Sequence, residues 1–76
     1  MNRLPAIKAN KLIKVLLRLG FMESRGKGSH RIFRHADGRG TSAPVHAGED
    51  IGRGLLRAIL RQIRISPEEF QKFLKK

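Results

Sequence analysis

Three histidines, His30, His35 and His46, are the side chains of this sequence best suited to move a proton near neutral pH, and they stand among 17 Lys+Arg. Other chemistries drop out in turn. With no cysteine there is no thiol nucleophile, thiolate zinc site or disulfide. No motif spaces histidines and carboxylates as metal ligands on one helix, so no metal and no cofactor is expected. Gly26-Lys27-Gly28-Ser29 has the look of a phosphate-loop fragment but lacks the first glycine, the spacing and a following helix. Ser29 adjoins His30 on an extended segment, where successive side chains point to opposite faces, so the pair does not make a nucleophilic serine.

One reaction fits what is left. RNA is cut by attack of its own 2′-hydroxyl on the neighbouring phosphate, which requires a group to transfer protons and cations to stabilise the charge that builds on phosphorus. His30 follows a glycine-rich turn and lies between Arg25, Lys27 and Arg31, the densest cluster of cations in the chain. It reads either as the proton carrier or as an ordinary strand residue bonded to a neighbour. His35, beside Asp37-Gly38, reads as a turn or surface residue. His46, after Pro44-Val45, offers a phosphate contact or a structural bond to a loop carbonyl.

These residues need elements to hold them. From Lys8 to Leu19, Leu12, Ile13, Leu16 and Leu17 fall at helical spacing, with Lys8, Lys11, Lys14 and Arg18 on the opposite arc. Gly20 ends that helix as a C-cap glycine, Pro5 sets a short extended arm before it, and no strong N-cap residue opens it. Phe21 to Arg25 and Ser29 to His35 read as a hairpin across Gly26-Lys27-Gly28. Asp37-Gly38 turns the chain into a third strand, Gly40 to Val45, which Pro44 confines to a sheet edge. A second amphipathic helix is expected over Ile51 to Ile65, its arginines at 53, 57, 61 and 64 facing away from its Leu and Ile residues. Ser66-Pro67-Glu68-Glu69 has the form of a capping box opening a short third helix that carries Phe70, Phe73 and Leu74 to the core.

The second strand leaves one question open. His30, Ile32 and Arg34 share one face, and Arg31, Phe33 and His35 the other. If Ile32 packs inward, Phe33 is free to stack on an RNA base; if Phe33 packs inward, it is core.

Size and charge bound the whole. Seventy-six residues make one domain with one modest core, too small to enclose a large cofactor. The net charge of +11 calls for a polyanionic partner, with nucleic acid foremost, and the absence of cysteine suits a cytoplasmic location. The most apolar stretch, Leu12 to Phe21, is broken by Lys14 and Arg18 and is too short and too charged to span a membrane.

In combination, Gly20-Phe21, Lys27-Gly28-Ser29-His30-Arg31-Ile32-Phe33-Arg34-His35, Asp37-Gly38-Arg39, Pro44-Val45-His46 and Leu56-Arg57-Ala58-Ile59-Leu60-Arg61-Gln62 resemble the HicA toxin family over nearly the whole chain. The resemblance implies an α+β fold similar to the double-stranded-RNA-binding domain, a three-stranded antiparallel sheet with helices on one face in the order α-β-β-β-α-α. It also implies a toxin that cuts messenger RNA, a HicB-type antitoxin as protein partner, and His30 as the catalytic histidine of the Gly-Ser-His motif. Gly52-Arg53-Gly54 departs from the proline common near the start of the family's second helix, and Gly40-Thr41-Ser42-Ala43 from its more apolar third strand.

The expectation is therefore a metal-independent endoribonuclease. His30 acts as general acid or base, and Arg25, Lys27, Ser29, Arg31, Arg34 and His46 contact RNA. A non-catalytic RNA-binding module of the same fold is the alternative. A DNA-binding helix pair is disfavoured, because strands separate the two long helices.

Overall fold

The computed structural model describes residues 4, 6–25, 28, 30–44 and 50–74. Its elements run β1 (Ile7–Lys8), α1 (Ala9–Arg18), β2 (Met22–Arg25), β3 (His30–Arg34), β4 (Gly40–Pro44), β5 (Asp50–Ile51), α2 (Arg53–Ile63) and α3 (Pro67–Leu74). The fold is α+β. Strands β2, β3 and β4 form an antiparallel sheet with β3 in the centre and β4 at an edge, where Pro44 withholds no ladder donor from a further strand.

Register settles which side of β3 is inward. Phe33 lies opposite Glu23 and Thr41 and is fully buried, with Ala43 beside it on the same face. Phe33 is therefore core. The helices cover this face: α1 packs against β2, α2 against β4, and α3 against both helices. Leu12, Val15 and Leu16 of α1, Leu56, Ile59, Leu60 and Ile63 of α2, and Phe70 of α3 meet Phe21 and Phe33 in one core. Phe73 and Leu74 are half-buried at its margin. Each large side chain so buried contributes roughly 1.5–3 kcal/mol of transfer free energy, which is the main source of stability in a chain with this little interior.

Two helix ends are built the same way from different residues. At the end of α1 the amide of Phe21 donates to the carbonyl of Leu16 (3.0 Å) and that of Gly20 to Leu17 (3.1 Å), with Gly20 at φ +98°. This paired reversal closes the orphan carbonyls of the last turn and needs a left-handed residue, which glycine supplies without steric cost. At the end of α2 Ile65 donates to Leu60 (3.0 Å) and Arg64 to Arg61 (3.3 Å), with Arg64 in the left-handed position at φ 59°, ψ 40°. The expected helix to Ile65 stops at Ile63 because Arg64 reverses the chain, and no glycine signals that stop.

The start of α2 also lies later than expected. Ile51 does not open the helix but pairs with Ile7, and Asp50 with Lys8, in a two-stranded ribbon reinforced by an exposed Lys8–Asp50 ion pair at 3.0 Å. The first helix correspondingly begins at Ala9, with no side chain capping its N-terminus. Two residues per strand are too few to leave an alternating pattern, so the ribbon is invisible in the sequence. The α3 cap is as expected, Ser66 Oγ accepting from the Glu69 amide at 3.1 Å. Pro5, Lys27, Ser29, Val45 and His46 lie outside the described residues.

Candidate functional site

The sheet face away from the helices carries Met22 and Ser24 of β2, His30, Ile32 and Arg34 of β3, and Ser42 of β4, since residues directly opposite in an antiparallel register share a face. His30 is exposed at the first position of β3, opposite Pro44. Among the described residues its imidazole has no hydrogen-bond or ion-pair partner. Arg34 is exposed on the same face about 13 Å further along the strand at ~3.3 Å per residue, and it is likewise unpaired among the described residues. Met22 is 75% exposed and Ile32 half-buried, giving the face a small apolar strip between its cations. No carboxylate of the described residues lies on it: Glu23 has the opposite parity on β2.

Arg31 is placed differently. Its parity puts it on the Phe33 side, where it is ion-paired with Glu23 at 2.5 Å. The sheet thus puts His30 and Arg34 on one face, at opposite ends of β3, and Arg31 on the other. Arg25 closes β2 with its backbone opposite Arg31. Lys27, Ser29 and His46, the other expected RNA contacts, lie outside the described residues.

His35 holds the β3–β4 turn. Its amide donates to the carbonyl of Arg39 (2.8 Å), its carbonyl accepts from Gly38 (3.0 Å), and Gly38 takes φ +99°. The ring meets Phe21 edge-on with centroids 5.0 Å apart, and Nε2 fills the space over Gly20 so closely that a Cβ there would stand 2.9 Å away. The Asp37 amide donates to His35 Nδ1 (3.1 Å), and Asp37 Oδ1 lies 3.0 Å from the same nitrogen. Asp37 also accepts from the Arg39 amide (3.0 Å) and Nε (2.8 Å). These contacts, the Arg39 amide above all and then its guanidinium, with the His35 ring adding a smaller pull, hold the Asp37 carboxyl below the ordinary carboxylate range. Arg39 in turn lies over Phe21, 5.3 Å from its centroid, and donates to the last-turn carbonyl of Ile63 at 2.8 Å. His35 is therefore a structural residue of the turn.

A groove of about 880 Å³ opens beside β4, lined by Ile32, Arg34, Arg39, Ser42, Gln62 and Arg64 among others. Sequence reasoning missed Gln62 and Thr41. Thr41 is buried beneath the sheet, and its hydroxyl donates to Gln62 Oε1 at 2.5 Å, tying β4 to α2. The available signal was the alternation of Thr41 with Ala43, which marks a polar residue on an inward face that must find a partner.

Across the helical layer Lys11, Lys14 and Arg18 of α1 and Arg53, Arg57 and Arg61 of α2 are exposed. No group of three or more histidines or carboxylates among the described residues is arranged to hold a metal ion. None of the described helices is long and apolar enough to cross a membrane.

Compared with known proteins, residues 9–65, about three quarters of the chain, match a family model described as HicA toxin of bacterial toxin-antitoxin. No curated protein matches the sequence.

Proposed function

Because this chain belongs to the HicA toxin family, and so is the toxin of a toxin–antitoxin pair, we propose that it is a metal-independent endoribonuclease that cuts messenger RNA with His30 as its proton-transfer group. The observation that carries the reading is the placement of His30: an exposed imidazole, unpartnered among the described residues, on the sheet face away from the described helices, which bears Arg34 and no described carboxylate. A histidine kept for structure would have a partner, as His35 does.

In this reaction the ribose 2′-oxygen loses its proton and bonds to the adjacent phosphorus, the bond from phosphorus to the 5′-oxygen breaks, and the departing oxygen takes a proton. The products are a 2′,3′-cyclic phosphate end and a 5′-hydroxyl end. His30 removes the first proton or supplies the second, a contribution typically worth about 10²–10⁴ in rate. Cations stabilise the dianionic phosphorane. Arg25, Lys27, Ser29 and His46 are assigned the contacts to that phosphate, and Arg34, four residues along β3 on the face of His30, a contact further along the bound strand. Arg31 is paired with Glu23 on the other side of the sheet, where its charge is largely neutralised. A HicB-type antitoxin that covers the same cationic face competes with RNA for it, and acidic groups on such a partner gain from the absence of like charge there.

The test is cleavage of RNA by purified protein in the presence of EDTA. The reading expects cuts with cyclic-phosphate ends that disappear on His30→Ala while RNA affinity stays within a few-fold. Binding without cleavage by the unaltered chain would instead support a passive RNA-binding module.

A further inference from the structure

We propose that the groove beside β4 is a second RNA subsite, in which Arg64 and Arg34 hold a backbone phosphate of the strand whose scissile bond lies at His30, and the Gln62 amide meets the adjoining nucleotide. The proposal rests on the reading of this chain as an RNA-cutting toxin, and extends it to residues at the end of α2. Three observations lead to it.

The first is continuity. Ile32, Arg34 and Ser42 belong to the face of His30 and also line the groove, so the two surfaces share residues. The second is charge. Three arginines line the groove against one carboxylate, and that carboxylate, Asp37, is already bound by Arg39. Arg34 and Arg64 are left unpaired among the described residues. At about 880 Å³ the groove is in the range of small-ligand clefts, roughly 300–1,000 Å³, and so suits a nucleotide better than a lone anion.

The third observation is the backbone. Arg64 occupies the left-handed position that Gly20 fills at the equivalent place on α1. Glycine is the favoured residue there, and an arginine in a disfavoured conformation points to a use for its side chain. Arg64, in that left-handed turn directly after α2, lines the groove. Gln62 is likewise prepared: with its Oε1 accepting from Thr41, its two amide hydrogens remain to donate to a ligand.

The test uses the full chain with His30→Ala, so that RNA survives the measurement, and a fluorescently labelled, unstructured RNA oligonucleotide as probe. Adding Arg64→Gly is expected to raise the melting temperature while weakening RNA binding about five-fold or more at low salt, and to lower the slope of log affinity against log salt by about 0.7, the value of one single-strand phosphate contact. Arg64→Lys keeps the charge and is expected to hold both affinity and slope close to the parent. Unchanged affinity and slope for Arg64→Gly would overturn the subsite, as would failure of the His30→Ala chain to bind the oligonucleotide. Continued cleavage by the His30→Ala chain would count against His30 as the proton carrier, leaving the Arg64 comparison to be read separately.

Discussion

Replacing Gly20 by alanine probes the support beneath the candidate site, and its effect is calculable from two features. The first is conformational: at φ +98° an L-residue is further from comfort than in an ordinary left-handed turn, so the cost is at least the usual 1–2 kcal/mol for that region, taken as about 1.5 kcal/mol. The second is spatial. The added Cβ meets His35 Nε2 at 2.9 Å, a separation such atoms do not adopt, so the ring must move. An exposed ring would swing away at little expense. This one is fixed by its edge contact with Phe21 and by the Asp37 amide on Nδ1, and losing the aromatic contact alone costs about 0.5–1.5 kcal/mol. Together the change destabilises the fold by about 2–3 kcal/mol, a large part of the ~5 kcal/mol typical at the low end for small domains. At about 4–8 °C per kcal/mol for a domain of this size, the melting temperature falls by more than about 8 °C. Thermal unfolding followed by circular dichroism, in the His30→Ala background, measures it. A fall of under about 2 °C would refute the reasoning, because it would mean that neither the turn nor the ring is held as described. The same logic runs in reverse at Arg64, where glycine relieves about 1 kcal/mol of left-handed strain and raises the melting temperature by several degrees.

Two further outcomes are expected. In the same His30→Ala background, Arg34→Ala weakens RNA binding more than Arg31→Ala, because Arg34 lies on the face of His30 whereas Arg31 is paired with Glu23 across the sheet; filter binding of RNA at two salt concentrations distinguishes them, and equal losses would contradict the assignment of faces. Asp37, whose carboxyl sits below its ordinary range, stabilises the fold fully above that ordinary value of about 3.9, and the contribution fades as pH falls through the lower folded value. The melting temperature of the unaltered turn should therefore exceed that of Asp37→Asn near neutrality and converge with it below about pH 4; a gap that widens on acidification would show the sign to be wrong.

Much of this architecture was legible because strong local signals agreed with the tertiary result. Gly20, the Asp37-Gly38 turn and Ser66-Pro67-Glu68-Glu69 each act where their chemistry placed them. Both long helices show their apolar faces in the sequence and bury them. Three features escaped. The β1–β5 ribbon depends on pairing between residues more than forty positions apart and has no periodicity of its own. The end of α2 carries arginine where the stop signal would be glycine, and conformational strain leaves no mark on composition. The inward side of β3 could not be chosen while Ile32 and Phe33 were both plausible core residues; the helices decide it by packing on Phe33. That choice separates Arg31 from His30, which proximity in sequence had grouped. Arg64 stood out in the sequence only as one of the α2 arginines whose stripe favours a phosphate-binding surface, and Gln62 only within a family motif, since the groove they line exists only once α2 lies against β4.

The role of His30 is tested most directly by the rate at which purified protein cuts RNA before and after His30→Ala, with EDTA present and the fold checked by its melting temperature. Loss of cleavage by about 10²-fold or more, with folding intact and RNA still bound, is the predicted result. Cleavage that persists at an undiminished rate in the altered chain would contradict it.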